Sequence, residues 1–150
     1  MKRTLTGFVL TTLLASPFAA QAQFAKVEDA VKYRKSSLSV MGTHFSRIGA
    51  VVKGEKPYDK AAVEADAAVV EMMAKLPWSA FPAGSDTADS KAKPEIWKEQ
   101  EKFKEGSEKM QAEVAKLSAA AKSGDLGMIK TAFGATGQAC KACHDNYRNK

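Results

Sequence analysis

The sequence predicts an all-α protein, folded as an antiparallel up-down-up-down four-helix bundle. Glycine and proline are confined to a few places, and the long stretches between them carry apolar residues spaced by three, four or seven positions. No stretch shows the alternation of apolar and polar residues that is typical of strands. Four helices joined by three connections, of which the middle one is long, make such a bundle.

The first two helices are predicted at residues 27–52 and 59–76. Gly54 and Pro57 separate them and argue against one fused helix. Asp59 is placed to act as the N-cap of the second helix.

A long connection then leads to the second pair of helices. Residues 77–93 are rich in Pro, Gly, Ser and Asp, and loops of that length are often functional. The third helix is predicted to begin at Pro94, because proline suits the first helical position, and to end at residues 123–124. Asp125 then caps a fourth helix that is predicted to reach Arg148.

The chain begins with the features of an export signal. Two basic residues precede a short apolar run at residues 5–14, and residues 20–22 have the small-x-small pattern of a signal peptidase site. The run is shorter than the roughly 20 residues that span a bilayer, although a retained anchor is the alternative. Residues 1–22 are therefore predicted to be a signal peptide, and residues 23–150 a single mature domain located in the periplasm.

Composition and charge limit the classes of partner that the protein is expected to bind. The net charge is +6, and it falls by two when the leader with its two basic residues is removed. No basic run with interleaved aromatic residues is present, so nucleic-acid binding is not expected. No membrane association is expected after processing, and the mild basicity favours acidic partner proteins.

The chemistry is concentrated in the sequence Cys140-Lys141-Ala142-Cys143-His144. Cys-x-x-Cys-His is the attachment signature of c-type haem: the two sulfurs bind the haem covalently, and the histidine is the proximal iron ligand. At about 100° per residue, Cys140, Cys143 and His144 lie on one face of a helix. One covalent haem c per chain is the predicted cofactor.

Other interpretations of the motif remain open. A disulfide would close a very small loop and would constrain the unfolded chain little. A redox dithiol normally begins a helix in a βαβ setting, which is not visible here. A zinc site would need a fourth ligand, either His44 or a carboxylate. A chance match is the remaining alternative.

The neighbours of the motif fit a haem bed. Four small residues would let a flat cofactor approach the helix: Gly134, Ala135, Gly137 and Ala139. Phe133 and Tyr147 are placed to flank the ring, or to be ordinary core residues. Arg148 follows His144 by four positions, so it is expected near the imidazole or at the helix terminus, where the dipole favours it.

At this point the sequence resembles the cytochrome c′ family, over essentially the whole mature chain. The resemblance rests on the motif and the following Arg148 near the C-terminus, on PEIW at 94–97 and on YRKSSL at 33–38. Ordinary mono-haem cytochromes c carry the motif near the N-terminus instead. The cytochromes c′ of denitrifying proteobacteria are the most similar.

The resemblance implies how the iron is ligated. Cys140 and Cys143 bind the haem, His144 is the only axial protein ligand, and Leu38 covers the other, vacant face. Such a pentacoordinate high-spin iron is expected to bind NO, and CO when reduced, to transfer electrons, or both. The family also implies a homodimer with contacts through the first two helices. No enzymatic activity is expected.

The resemblance also implies contacts to the haem edge. Arg34 matches the position that contacts a haem propionate. Lys35 stands where the family commonly has Gln, and it can meet a carboxylate as a point charge. Ser90 and Lys91, just before Pro94, are expected to reach the haem edge.

Two rival functions remain. Met41 or His44 would, as sixth ligand, make the protein a low-spin electron carrier. A peroxidase would require a distal His-Arg pair, which is not evident.

Overall fold

The computed structural model describes residues 23–150, so the predicted signal peptide lies outside the described residues. The described chain forms four long α-helices and one short one: α1 (Val27–Val52), α2 (Lys60–Met73), α3 (Glu95–Lys98), α4 (Gln100–Ser123) and α5 (Leu126–Tyr147). None of these helices combines the length and the apolar character needed to cross a membrane.

The helix boundaries have identifiable causes. Asp59 and Asp125 are the predicted N-caps, and each accepts a hydrogen bond through Oδ1, from the backbone N of Ala62 (3.1 Å) and of Met128 (2.9 Å) respectively. Gly124 ends α4 in the left-handed conformation at φ 80°, which glycine adopts without steric cost. Both caps were predicted correctly from the sequence.

The four long helices pack in a closed ring. Helix α1 packs on α2, α2 on α4, α4 on α5, and α5 on α1. Successive long helices are antiparallel neighbours, as in an up-down-up-down bundle. The centre is filled by side chains from all four, of which six are the largest apolar ones with almost no exposure: Ile48, Val63, Val70, Val114, Leu117 and Ile129. The predicted all-α bundle is thus confirmed.

The connection at 77–93 is more ordered than a plain loop. Helix α2 ends at Met73 rather than at residue 76, and one turn of 3-10 helix, Pro77–Ala80, follows. Further along, Ala92 pairs with Arg148 in an isolated antiparallel bridge. The predicted loop is therefore fixed at both of its ends and contains one short helical turn.

The third predicted helix is interrupted. Glu99 has φ −120° and ψ 45°, which separates the short α3 from α4. In α3, the Trp97 indole N–H is shared between the carbonyl oxygens of Phe81 and Pro82, so α3 is attached to the connection. Neither Gly nor Pro stands at the break, and the sequence pattern therefore did not indicate it.

Candidate functional site

A cavity of about 1170 Å³ opens between α1, the 77–93 connection, α4 and α5. It exceeds the roughly 300–1000 Å³ of ordinary small-molecule pockets. The sequence predicted nine site residues from three separate stretches of the chain, and all of them line this one cavity: Arg34, Lys35, Leu38, Ser90, Lys91, Cys140, Cys143, His144 and Arg148.

Helix α5 supplies the wall that carries the motif. Cys140, Cys143 and His144 all line the cavity from the last two turns of the helix. Both cysteines are half-buried free thiols, and His144 is exposed. The motif therefore presents two sulfurs and one imidazole to the same space, as its helical spacing predicted.

The electrostatics of this wall favour neutral side chains. Burial raises the pKa of the Cys140 and Cys143 thiols, and the adjacent Cys140 adds to the effect at Cys143. Partial desolvation lowers the pKa of His144, and the positive charge of Arg148 lowers it further, against an opposing effect of Asp145. A neutral imidazole is the form that coordinates a metal.

Arg148 therefore acts on the histidine through its charge. Its side chain is exposed and lines the cavity, and its backbone N donates to the carbonyl oxygen of His144 at 3.1 Å. The residue thus follows the last turn of α5, where a cation also interacts favourably with the helix dipole. Both roles considered from the sequence are compatible with this position.

Helix α1 supplies an apolar wall. Leu38, Met41 and Phe45 line the cavity, and all three are half-buried. His44 is on the same helix but does not line the cavity, since its Nδ1 lies 2.6 Å from Oδ1 of Asp66 on α2. Of the two candidate sixth ligands, only Met41 borders the cavity.

Arg34 is held by the 77–93 connection. It is 3% exposed, and its Nη1 donates to the carbonyl oxygen of Ala80 (2.8 Å) and to Ser85 Oγ (2.6 Å). Its Nη2 donates to the Ser85 carbonyl oxygen and to Ser90 Oγ (2.6 Å). The guanidinium also lies 4.4 Å from the centre of the Phe81 ring.

These contacts qualify the predicted propionate contact of Arg34. A guanidinium has five N–H donors, and the four on its terminal nitrogens already have protein acceptors. Only the Nε–H of Arg34 is left for a carboxylate while these bonds persist. The main role of the buried guanidinium is therefore to hold the 77–93 connection at the rim of the cavity.

Three further polar residues stand at the same rim. Lys35 donates from Nζ to the carbonyl oxygen of Asp89 at 3.0 Å, and its side chain is exposed. Ser90 accepts hydrogen bonds from both Arg34 and the backbone N of Ala92, so its hydroxyl proton remains available to donate. Lys91 is exposed and lines the cavity. Each is placed to meet an anionic group at the cavity edge.

An aromatic cluster lies on the cavity wall, and of its members only Tyr147 was predicted to flank the haem. Its members all line the cavity and contact one another with ring centroids 4.9 to 6.3 Å apart: Trp78, Phe81, Phe103 and Tyr147. Two of these residues come from the connection. Aromatic residues in an otherwise polar stretch were the signal in the sequence that could have identified them.

The residues predicted to form a haem bed do not all border the cavity. Gly137 lines the cavity, whereas Ala135 and Ala139 border a separate groove between α4 and α5. A Cβ on Gly134 would meet nothing within 4 Å. Phe133 stacks on Phe45 at 4.3 Å and does not line the cavity.

The arrangement fits a covalently attached iron porphyrin. Two thiols and a neutral imidazole line one wall, apolar and aromatic side chains line the others, and cations stand at the rim where carboxylates would lie. Such a macrocycle requires an apolar space with a few polar groups at its edge. Cys140, Cys143 and His144 are the residues that would hold it.

Comparisons with known proteins agree with this geometry. The sequence model of the family described as Cytochrome C' matches residues 29–148. The cytochrome c' of Alcaligenes xylosoxydans xylosoxydans is 50% identical over 128 residues, which cover 85% of this chain and 99% of the relative. The crystal structure of cytochrome c' from Rubrivivax gelatinosus has a TM-score of 0.81 at 41% identity, covering 85% of this chain and all of the other.

A third similar structure carries a ligand. It is the nitric oxide complex of a leucine-to-alanine variant of cytochrome c prime from Alcaligenes xylosoxidans. Its TM-score is 0.80 at 48% identity, covering 85% of this chain and 99% of the other.

Proposed function

The chain belongs to the cytochrome c′ family, whose cofactor is haem c, and we propose that it is a periplasmic haem protein with pentacoordinate high-spin iron that binds NO and CO, transfers electrons, or does both. The bound haem supplies the iron atom at which a diatomic gas binds. In this proposal Cys140 and Cys143 hold the haem, and His144 is its only axial protein ligand.

The apolar wall of α1 carries the proposal. Leu38, Met41 and Phe45 border the cavity there, and Leu38 offers no donor or acceptor to a bound ligand. A leucine beside the sixth position excludes ligands by size and gives no hydrogen bond to water. Such a wall disfavours small uncharged gases least, and variants of a relative of known structure form nitric oxide complexes.

The second candidate function is a six-coordinate, low-spin electron carrier. Met41 keeps it in consideration, because its thioether borders the cavity from α1. His44 does not contribute to this alternative, since it is bound to Asp66 outside the cavity. A peroxidase is not proposed, because among the described residues His144 is the only histidine that lines the cavity.

Absorption spectra of the holoprotein test the proposal. The protein is purified from a host competent in haem c attachment and measured in the ferric state, in the ferrous state, and with CO and NO. A high-spin ferric spectrum is expected, together with a ferrous spectrum that changes when CO or NO is added. A low-spin ferric spectrum, with a ferrous spectrum that neither gas changes, would establish the rival, and a colourless protein with the mass of the bare polypeptide would refute the haem assignment.

A spectrum alone does not identify the attachment residues, so a matched pair of variants is needed. Cys140→Ser and Cys143→Ser each remove one thioether, and the pyridine haemochrome spectrum reports how many vinyl groups remain. Each variant is expected to retain one unreacted vinyl group. Gln138→Ala, in the groove between α4 and α5, is the control and is expected to match the wild type.

Export and assembly complete the proposal. We infer that residues 1–22 are removed, which mass spectrometry of the periplasmic protein tests directly. We also infer a homodimer through α1 and α2, supported by exposed apolar side chains on both helices, Val40 (42%) and Met72 (62%). Sedimentation velocity should show a dimer that Val40→Glu weakens, whereas Met128→Glu on α5 should leave it intact.

A further inference from the structure

Residues 90–93, called the strap below, close the carboxyl end of the haem-bearing helix. The backbone N of Lys93 donates to the carbonyl oxygen of Tyr147 at 2.9 Å, and its Nζ donates to the carbonyl oxygen of Asp145 at 2.9 Å. The backbone N of Asn149 donates to the carbonyl oxygen of Lys91 at 2.8 Å. The last carbonyls of a helix lack partners within it, so the strap supplies partners for two of them.

The other side of the strap is held by α1. Ser90 Oγ accepts from Arg34 Nη2 at 2.6 Å and from the backbone N of Ala92 at 3.1 Å. One hydroxyl therefore connects a buried guanidinium on α1 with the peptide that pairs with the end of α5. A continuous series of hydrogen bonds thus runs from Arg34 to the last turn of α5.

Arg34 is well suited to be the fixed point of this series. It is 3% exposed, its four terminal N–H groups all have acceptors, and it lies over the Phe81 ring. A buried charge that loses an acceptor is costly, which keeps the guanidinium and its acceptors together. The strap is consequently attached to a rigid point rather than to a mobile surface residue.

We propose that Arg34 is a positioning residue, which acts through the Ser90 hydroxyl on the strap and thereby holds the last turn of α5, where His144 lies. This inference goes beyond the proposed function, because the strap contacts do not depend on what occupies the cavity. It also gives Arg34 a role other than a direct contact to a haem carboxylate. The end of a helix otherwise frays, and an imidazole in its last turn would move with it.

Amide hydrogen exchange in the holoprotein tests the proposal, with a matched pair of variants. Ser90 and Ser85 both accept from Arg34 at 2.6 Å, but only Ser90 continues to the strap. Ser90→Ala is expected to speed exchange at the amides of Lys93 and Asn149 by at least about tenfold, the factor that corresponds to losing a hydrogen bond to a charged group. Ser85→Ala is expected to leave both amides within about twofold of the wild type.

A conservative variant and a measurement of overall stability distinguish the positioning role of Arg34 from a general loss of stability. Ser90→Thr retains the hydroxyl and should restore slow exchange at both amides. Thermal unfolding of all variants shows whether any change is global. Unchanged exchange in Ser90→Ala, or an equal increase in Ser85→Ala, would overturn the proposal. Both amides report on the strap whether or not the iron proves pentacoordinate, so this test and that of the proposed function fail independently.

Discussion

The imidazole Nδ1 of His44 lies 2.6 Å from Oδ1 of Asp66, and this pair links α1 to α2. The two side chains are only 22% and 16% exposed, and Nη1 of Arg47 approaches the same carboxylate oxygen at 3.5 Å. The chain contains two histidines, His44 and His144. The one outside the motif, His44, is therefore already bound to a carboxylate. This contact bears directly on the ligation of the iron.

Replacement of His44 should therefore leave the haem spectrum unchanged. In His44→Ala the ferric spectrum is expected to match the wild type, while the free energy of unfolding falls by about 1 kcal/mol because a half-buried pair is lost. Denaturant unfolding measures the second effect. Arg47→Ala, which removes the longer and more exposed contact, should cost less. A changed spin state in His44→Ala would show that the imidazole reaches the iron after all.

Replacement of Met41 on the cavity wall tests the other candidate sixth ligand of the iron. Met41→Leu conserves volume and apolar character but removes the sulfur, so a five-coordinate iron should give the same ferric spectrum before and after the change. The expected loss of stability is below about 1.5 kcal/mol. A low-spin wild type that becomes high-spin in Met41→Leu would instead identify methionine as the sixth ligand.

Local signals in the sequence predicted the fold and the position of the motif on α5, whereas they did not predict the long-range polar contacts. The caps at Asp59 and Asp125 depend on neighbours three residues away, and the motif on α5 depends on helical spacing alone. Arg34 instead finds its acceptors 46 to 56 positions later. No spacing rule encodes such a contact.

The break at Glu99 escaped prediction for a related reason. Pro94 was a strong start signal, and the apolar positions that follow it fit one continuous helix. The backbone nevertheless leaves the helical region at Glu99, whose Oε2 accepts a hydrogen bond from the Tyr147 hydroxyl at 3.2 Å. A partner 48 positions away in the chain takes part in this interruption. Tertiary contacts of this kind override a local preference.

Replacement of Gly49 and of Gly134 by alanine should change the stability of the protein in opposite directions. A Cβ on Gly49 would lie 3.0 Å from Cζ of Phe133, whose ring stacks on Phe45, so Gly49→Ala is expected to cost about 1–2 kcal/mol. Gly134→Ala meets nothing within 4 Å in the interior of α5 and should stabilise the protein by about 0.5–1 kcal/mol. Thermal or denaturant unfolding compares them, and equal effects of one sign would contradict the packing described.

Because the four long helices pack in a closed ring, the free energy of unfolding should depend strongly on the residues at its centre. Leu117 on α4 is fully buried, so Leu117→Ala should lower the free energy of unfolding by about 3–5 kcal/mol through lost burial and a remaining cavity. Met128 on α5 is 54% exposed, and Met128→Ala should change the free energy of unfolding by no more than about 0.5 kcal/mol. Comparable losses in the two variants would mean that Leu117 is not at the centre of the core.

If the iron is pentacoordinate, as proposed, Leu38 should limit how fast a gas reaches it. To admit a ligand, the leucine side chain must leave its preferred rotamer, which costs about 0.5–1.5 kcal/mol. Leu38→Ala removes that cost, and CO association with the ferrous protein is expected to speed up by up to about tenfold. Flash photolysis measures this rate.

Val40 on the same helix is 42% exposed and does not line the cavity, so Val40→Ala is the control and should leave the rate unchanged. Unchanged association in Leu38→Ala would show that access to the iron is controlled by another part of the cavity wall.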